Sequence, residues 1–278
     1  MTTPEPDRFA VLVPVKRTTV AKSRLGGLGE HTRQRLASAF AADTVTAVLA
    51  CHVVDRVLVV TDDVVLADRL RAIGADVIPD GTTDLNGTLV QAAAEMHRRD
   101  PALRLAAVCA DLPALRPDEL ALALSTAHLT GMSFVSDQER VGTTAVIATR
   151  VEEFRPLFGD GSRAQHLAAG AFEVDGIDVP GLRRDVDDPA DLAEALRLGV
   201  GVSTSVLTRV RQATVSAFDE TARVGRVLFD DGAQAAFPAT ALQGSGLLRL
   251  RRGQRVRLDT VGEHEATRIV AVQILTLH

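Results

Sequence analysis

Three groups of residues in this sequence have the types and spacing to do chemistry. The first is Asp111, which closes a buried apolar run (AAVCADLP) just before Pro113. A carboxylate fixed at a strand end suits a hard dication such as Mg²⁺, which takes oxygen ligands, keeps several waters and shares one or two carboxylates with substrate phosphates. The second is Asp185-Val186-Asp187-Asp188-Pro189. In an extended segment residues two apart face the same way, so Asp185 and Asp187 can address one site. Asp188, before Pro189, is placed to cap the helix that follows. A strand-end Asp and a DxD on separate segments can hold metal ions on a transferring phosphoryl group. Asp111, Asp185 and Asp187 are therefore the candidate metal ligands.

The third group is cationic. The chain has only two lysines, Lys16 and Lys22, and both fall in KRTTVAKSRLGGLGE with Arg24 and glycines at 26, 27 and 29. Backbone amides combined with compact ammonium groups cradle a polyphosphate. No GxxxxGK[ST] is present, so this is not a P-loop. Two further segments offer amides and hydroxyls to an anion: Gly142-Thr143-Thr144, and Phe158-Gly159-Asp160-Gly161-Ser162 ahead of a helix near Arg163. All of these residues also have plain structural uses, as turns, caps or solvated loops. His31, His52, His97, His128 and His166 lack metal-like spacing and read as surface or helix residues. No Ser/His/Asp or Cys/His arrangement stands out, which argues against nucleophilic catalysis.

The elements that must position these groups follow from periodicity. A continuous Val-rich run predicts a buried strand at 9–15, followed by strands at 57–60 and 75–78, a fourth, buried strand at 105–110, and later strands at 133–135 and 145–148. Helical spacing predicts helices over 31–50, 64–73, 88–98, 117–127 and 189–198, the last ended by Gly199. Leu182–Val186 reads as short and extended. Alternating strands and helices predict a Rossmann-like α/β layer fold with a mostly parallel sheet, whose ligands bind beyond the carboxyl ends of the strands. Those ends carry the lysines, aspartates and glycines. Gly199–Thr208 reads as a linker. Beyond it five short β-type runs, at 213–218, 225–229, 235–237, 255–258 and 268–274, predict a small all-β barrel of the OB type. The expected domains are thus 1–202 and 209–278.

Composition agrees with two units. The net charge of −5 divides into −8 over residues 1–202 and +3 from Ser203 onward. Apolar residues at 46% and charged residues at 24% exclude a disordered chain. No apolar run reaches the ~20 residues needed to cross a bilayer. Met1–Arg8 is polar and acidic, unlike a secretory signal. Cys51 and Cys109 read as reduced thiols, so a cytoplasmic enzyme is expected.

PVKRTTVAKSRL, CADLPAL, GTTAV, FGDGS and RRDVDDPADLAEALRLGVG, in this order, resemble the guanylyltransferases of deazaflavin coenzyme F-420 biosynthesis. The resemblance covers about residues 9–202. It implies a nucleotidyltransferase fold similar to that of molybdenum-cofactor guanylyltransferases. It also implies transfer of GMP from GTP to phosphoenolpyruvate or 2-phospho-L-lactate, with release of pyrophosphate. Carried over residue by residue, it gives Asp111 and Asp185 to Mg²⁺, and Lys16 and Lys22 to the GTP phosphates; the loop reading adds Arg24 as a nucleotide-binding candidate. Leu85 and Asn86 would lie near the nucleotide, and Thr144, Gly159 and Ser162 at the phospho-acid. The family usually reads GTGT where this chain has Gly142-Thr143-Thr144, so Thr143 and Thr144 both stand as candidates. Other acceptors that fit the same chemistry are 3-phosphoglycerate, a sugar phosphate or molybdopterin. The tail from Arg209 resembles a cold-shock-like barrel that binds single-stranded nucleic acid. It keeps only Phe218, Phe229 and Phe237 as aromatics, with Arg249, Arg251, Arg252, Arg255 and Arg257 as candidate phosphate contacts. A structural or oligomerisation role is the more expected one.

Overall fold

A computed structural model describes residues 8–15, 25, 28–81, 84–243, 245–262 and 267–275. In chain order the first part comprises β1 (Phe9–Pro14), α1 (Glu30–Leu49), β2 (Val54–Val60), α2 (Val64–Ala72), β3 (Asp76–Ile78), α3 (Leu85–Arg99), β4 (Arg104–Val108) and α4 (Pro117–Thr126). It continues with β5 (Met132–Ser136), β6 (Thr143–Ala148), α5 (Ser162–Ala168), β7 (Phe172–Glu173), α6 (Pro180–Arg183), α7 (Pro189–Leu198) and α8 (Val202–Ser205). Seven strands form one sheet in the order β3-β2-β1-β4-β6-β5-β7, with only β6 antiparallel to its neighbours.

Apolar side chains cover both faces of this sheet, as a mostly parallel sheet requires. Val11, Val13, Val59 and Val108 pack on one face with Val45 and Val48 of α1. Leu12, Leu58 and Phe134 pack on the other with Leu89 and Met96 of α3. The chain runs outward from β1 to β2 and β3, then returns to β4 on the other side of β1. The crevice between β1 and β4 is therefore the switch point where a ligand finds room beyond the strand ends.

Five more strands, β8 (Thr208–Asp219), β9 (Val224–Phe229), β10 (Gln234–Phe237), β11 (Arg255–Val261) and β12 (Arg268–Ile274), make an antiparallel sheet in the order β10-β9-β8-β11-β12. It curls into a half-barrel around Val215, Val227, Phe237, Val256 and Val272. Its edges β10 and β12 approach one another without forming a ladder among the described residues, so the expected barrel stays open on that side.

Two local expectations are corrected. Pro180–Arg183 is a helical turn, so Leu182 is not extended. Glu119 of α4 imposes this turn by accepting the N–H groups of Gly181 (3.2 Å) and Leu182 (2.9 Å). Gly181 is required there, because a Cβ would lie 2.2 Å from the Ala114 carbonyl oxygen. The stretch read as a linker also contains α8. The buried Asp43 carboxylate of α1 caps it, accepting from Ser203 N (2.8 Å) and Thr204 N (2.7 Å). No helix among the described residues is long and apolar enough to cross a membrane.

Candidate active site

The centre of the site is the exit of β4. Cys109 N–H donates to the Thr144 carbonyl at 2.8 Å, which extends the β4–β6 pairing and brings the start of β6 beside the end of β4. The Thr44 hydroxyl of α1 fixes the next residues. It sits 2.9 Å from the Phe40 carbonyl and 3.3 Å from the Ala110 carbonyl, and it accepts the Leu112 N–H at 3.1 Å. Asp111 is thus flanked on both sides by groups bonded to one fully buried hydroxyl. From the far end of the fold, Val186 N–H donates to the Asp111 carbonyl at 3.1 Å. The DVD segment lies against the strand end, with Val186 fully buried and Asp185 and Asp187 half-buried on either side of it.

A charged network holds that segment in shape. Asp188 caps α7 by accepting from Ala190 N (2.7 Å) and Asp191 N (3.0 Å). Asp191 closes a capping box, its carboxylate accepting the N–H groups of Asp187 and Asp188 at 3.1 Å each. The buried Arg184 guanidinium binds both Asp191 (2.8 Å) and Glu139 (2.9 Å). Asp188 does what was expected of it. Asp191 and Arg184 were not expected, although Asp191 stands three residues after the cap, where a capping box is legible.

The second half of the site is the pair of anion-type segments. Asp137 makes the turn into β6, its carboxylate accepting from Val141 N (2.8 Å) and Gly142 N (2.7 Å). The β5–β6 register then slips. Val135 faces Ala145 but Ser136 faces Thr143, which leaves Thr144 as an extra, bulged residue. Thr143 Oγ1 lies 3.0 Å from His166 Nδ1, whereas Thr144 Oγ1 lies 3.5 Å from the Val135 carbonyl. Gly159 (φ 134°) and Gly161 (φ 64°) adopt left-handed conformations that let Phe158–Ser162 curl into α5, at whose start Ser162 is buried. Asn86, at the start of α3, grips this loop through both ends of its amide. Its Nδ2 donates to the Phe158 carbonyl (3.0 Å), and Phe158 N–H donates to its Oδ1 (2.8 Å). Asn86 therefore meets the FGDGS loop directly, and Leu85 beside it packs against the same core cluster as Phe158.

Lys16, Lys22 and Arg24 lie outside the described residues. The end of their loop is described at Leu25 and Leu28, both buried in a core shared with Phe40 of α1, Ala114 after Asp111, Val186, Leu192 of α7, and Val261 and Val270 of the half-barrel. Leu25 and Leu28, residues next to both acidic clusters, and the appended sheet thus share one patch of apolar side chains. A cleft of about 840 Å³ at the same junction is lined by Leu28, Pro189, Phe218 and Phe237, with none of the predicted site residues. Volume alone does not mark the chemistry here.

Among the described residues no group of three or more His, Cys, Asp or Glu side chains is arranged to hold a metal ion. Asp111, Asp185 and Asp187 are thus not gathered into a three-carboxylate cage. In the half-barrel Phe229 and Phe237 are buried in the core. Arg249, Arg255 and Arg257 pair with Glu220, Asp230 and Asp259. Phe218 is half-buried and lines the cleft, and Arg251 and Arg252 are exposed.

His166 lies on α5, one of the two placements expected for it. It is fully buried rather than on a surface, stacked near Phe134 and edge-on to Phe158.

A family profile described as guanylyl transferase CofC like matches residues 9–229. The chain is 45% identical over 218 residues to a phosphoenolpyruvate guanylyltransferase of Thermomonospora curvata, which spans 77% of this chain and 94% of that protein. It is 47% identical over 203 residues to a phosphoenolpyruvate guanylyltransferase of Salinispora arenicola, spanning 72% of this chain and 92% of that protein. Among solved structures, a protein from Desulfovibrio desulfuricans described as a nucleotide-diphospho-sugar transferase aligns with a TM-score of 0.54 over 72% of this chain and 94% of its own. At 17% identity that likeness is one of fold. The strands β10, β11 and β12 lie beyond the matched profile.

Proposed function

The chain belongs to the guanylyl transferase CofC-like family, and on that basis we propose that it transfers GMP from GTP to phosphoenolpyruvate with release of pyrophosphate. The observation that carries this reading is the hydrogen bond from Val186 N–H to the Asp111 carbonyl at 3.1 Å. It keeps both acidic clusters at the end of β4, next to the switch point. Residues 1–202 are the catalytic unit in this reading, and 209–278 an appended sheet.

An oxygen of the acceptor's phosphate forms a bond to the α-phosphorus of GTP. The bond from that phosphorus to the oxygen bridging the β-phosphate breaks, and its electron pair leaves with pyrophosphate. The attacking phosphate is already anionic near neutral pH, so no general base is required. The chain's task is to align the two phosphates and to offset their charge. Lys16, Lys22 and Arg24 are assigned to the GTP phosphates, with Leu85 and Asn86 beside the nucleotide. Thr143 and Thr144, with the backbone of Gly159 and Ser162, are assigned to the phospho-acid. Asp111, Asp185 and Asp187 would hold Mg²⁺, and their all-oxygen donor set fits that hard cation. When bound, the ion supplies positive charge to the transferring phosphoryl group.

The acceptor is tested by measuring pyrophosphate release from GTP with phosphoenolpyruvate, 2-phospholactate, 3-phosphoglycerate, a sugar phosphate and molybdopterin in turn. Phosphoenolpyruvate is expected to support the fastest release. Faster release with another acceptor assigns the site to that acceptor, and release with none overturns the reading.

A further inference from the structure

His166 touches both arms of the proposed acceptor site. Leu157 N–H donates to its Nε2 at 3.0 Å. A ring nitrogen that accepts carries no proton, so the neutral imidazole must carry its proton on Nδ1. Nδ1–H then faces Thr143 Oγ1 at 3.0 Å and shares its proton between that hydroxyl and the Ser162 backbone. One ring therefore ties the backbone entering the FGDGS loop to the first residue of β6. His166 and Thr143 are both buried, and the rings of Phe134 and Phe158 pack on the imidazole. Burial disfavours the imidazolium, in part against a hydrogen bond to the Ser162 backbone.

The consequence for Thr143 is directional. A hydroxyl that accepts from Nδ1–H keeps its own proton to give to another partner. Without the imidazole, the same hydroxyl is at liberty to turn and donate elsewhere. An anionic acceptor requires donors, so a hydroxyl held in the donor role is pre-organised for it.

We propose that His166 is a positioning residue that sets the spacing of the two arms of the phospho-acid site and holds the Thr143 hydroxyl as a donor to the acceptor. This inference rests on the reading given under Proposed function, and it assigns Thr143 a role that the GTT spacing alone left shared with Thr144. His166 does not contact the reacting atoms in this account. It acts through Thr143 and through Leu157.

The test compares steady-state kinetics of the full chain and four variants, with GTP and phosphoenolpyruvate varied in turn. His166→Phe keeps an aromatic ring and removes both bonds. His166→Asn retains a donor where Nδ1 stands. Thr143→Val removes the hydroxyl at nearly constant shape. The fourth variant combines His166→Phe with Thr143→Val. His166→Phe is expected to raise KM for phosphoenolpyruvate about tenfold, the size of one lost hydrogen bond to a charged group, with KM for GTP unchanged within about twofold. His166→Asn is expected to recover most of that loss. The double variant is expected to lose less than the sum of the two single losses, because part of the His166 effect runs through the Thr143 hydroxyl. Equal rises in both KM values, no change in either, or additive losses in the double variant would each overturn the proposal. If His166→Phe does not fold, His166→Asn and Thr143→Val carry the same comparison: Thr143→Val alone should show the acceptor-specific loss. Pyrophosphate release by the unmodified chain separates the two levels. Release with unaltered variant kinetics removes only the role of His166, and no release with any acceptor removes the function as well.

Discussion

Val186 N–H donates to the Asp111 carbonyl at 3.1 Å, and that bond joins two acidic clusters 75 positions apart in the chain. Asp111 follows β4, three residues beyond its end at Val108, and Val186 sits at the centre of DVD. The same Val186 side chain is buried beside Leu28, Ala114 and Val270. The carboxylate segments are therefore held by backbone bonding and by packing at once.

If these carboxylates hold the ion on the transferring phosphate, Asp111→Asn and Asp185→Asn each lower kcat by at least about 100-fold, in line with the loss of one charge-stabilising group. The far-ultraviolet spectrum and Tm should stay near those of the unmodified chain. Turnover near the unmodified rate in either variant removes the metal assignment.

Thr44 is the strut beneath Asp111. Thr44→Val deletes the acceptor for the buried Leu112 N–H, so urea unfolding should show a loss of about 1–3 kcal/mol. kcat should fall as well, because the backbone on both sides of Asp111 loses its tie. A variant that loses neither stability nor rate shows that the strand end is held without this hydroxyl.

Stability should fall in acid for a reason tied to one residue. Burial places the His166 imidazole below its usual value of 6.5 in the fold. The unfolded chain therefore binds a proton that the folded chain refuses. The stabilising contribution is complete above about pH 6.5 and is lost as pH falls below it. The groups facing the ring are the Thr143 hydroxyl, Leu157 N–H, the Ser162 backbone and two Phe rings. In His166→Phe the decline in Tm between pH 7 and pH 5 should be shallower than in the unmodified chain. Parallel declines assign the acid sensitivity to other groups.

The half-barrel shares a core with the catalytic segments through Val261 and Val270. Val270→Ala should cost about 2 kcal/mol by cavity formation and reduce kcat. Val270→Ile should leave both nearly unchanged. A Val270→Ala variant with full activity and reduced Tm shows that the appended sheet is a passive neighbour.

Part of the framework around the candidate site could be read from local sequence. The place of Asp111 beyond a strand was legible because the apolar run LAAVCA stops there, and the cap at Asp188 because Asp before Pro opens a helix. The order of strands and helices sufficed for the layer fold. What was hidden depends on distant partners. Leu182 looks extended until Glu119, 63 positions away, captures its N–H. Thr44 is one more residue on a helix face until Leu112 arrives beneath it. His166 reads as a surface or helix residue because short helices carry weak periodicity, and only the packing of Phe134 and Phe158 shows that it is inside. The slip that bulges Thr144 comes from the Asp137 turn, which no count of alternating residues reveals.

The most direct measurement follows the α-phosphorus itself. GTP labelled at that position is incubated with Mg²⁺, phosphoenolpyruvate and the purified chain, and the products are separated. The label should appear in a GMP adduct of phosphoenolpyruvate, with one pyrophosphate released per adduct, and should stay in GTP when Asp111→Asn is used. Label confined to GTP with the unmodified chain, or recovered as free GMP regardless of the acceptor, would refute guanylyl transfer.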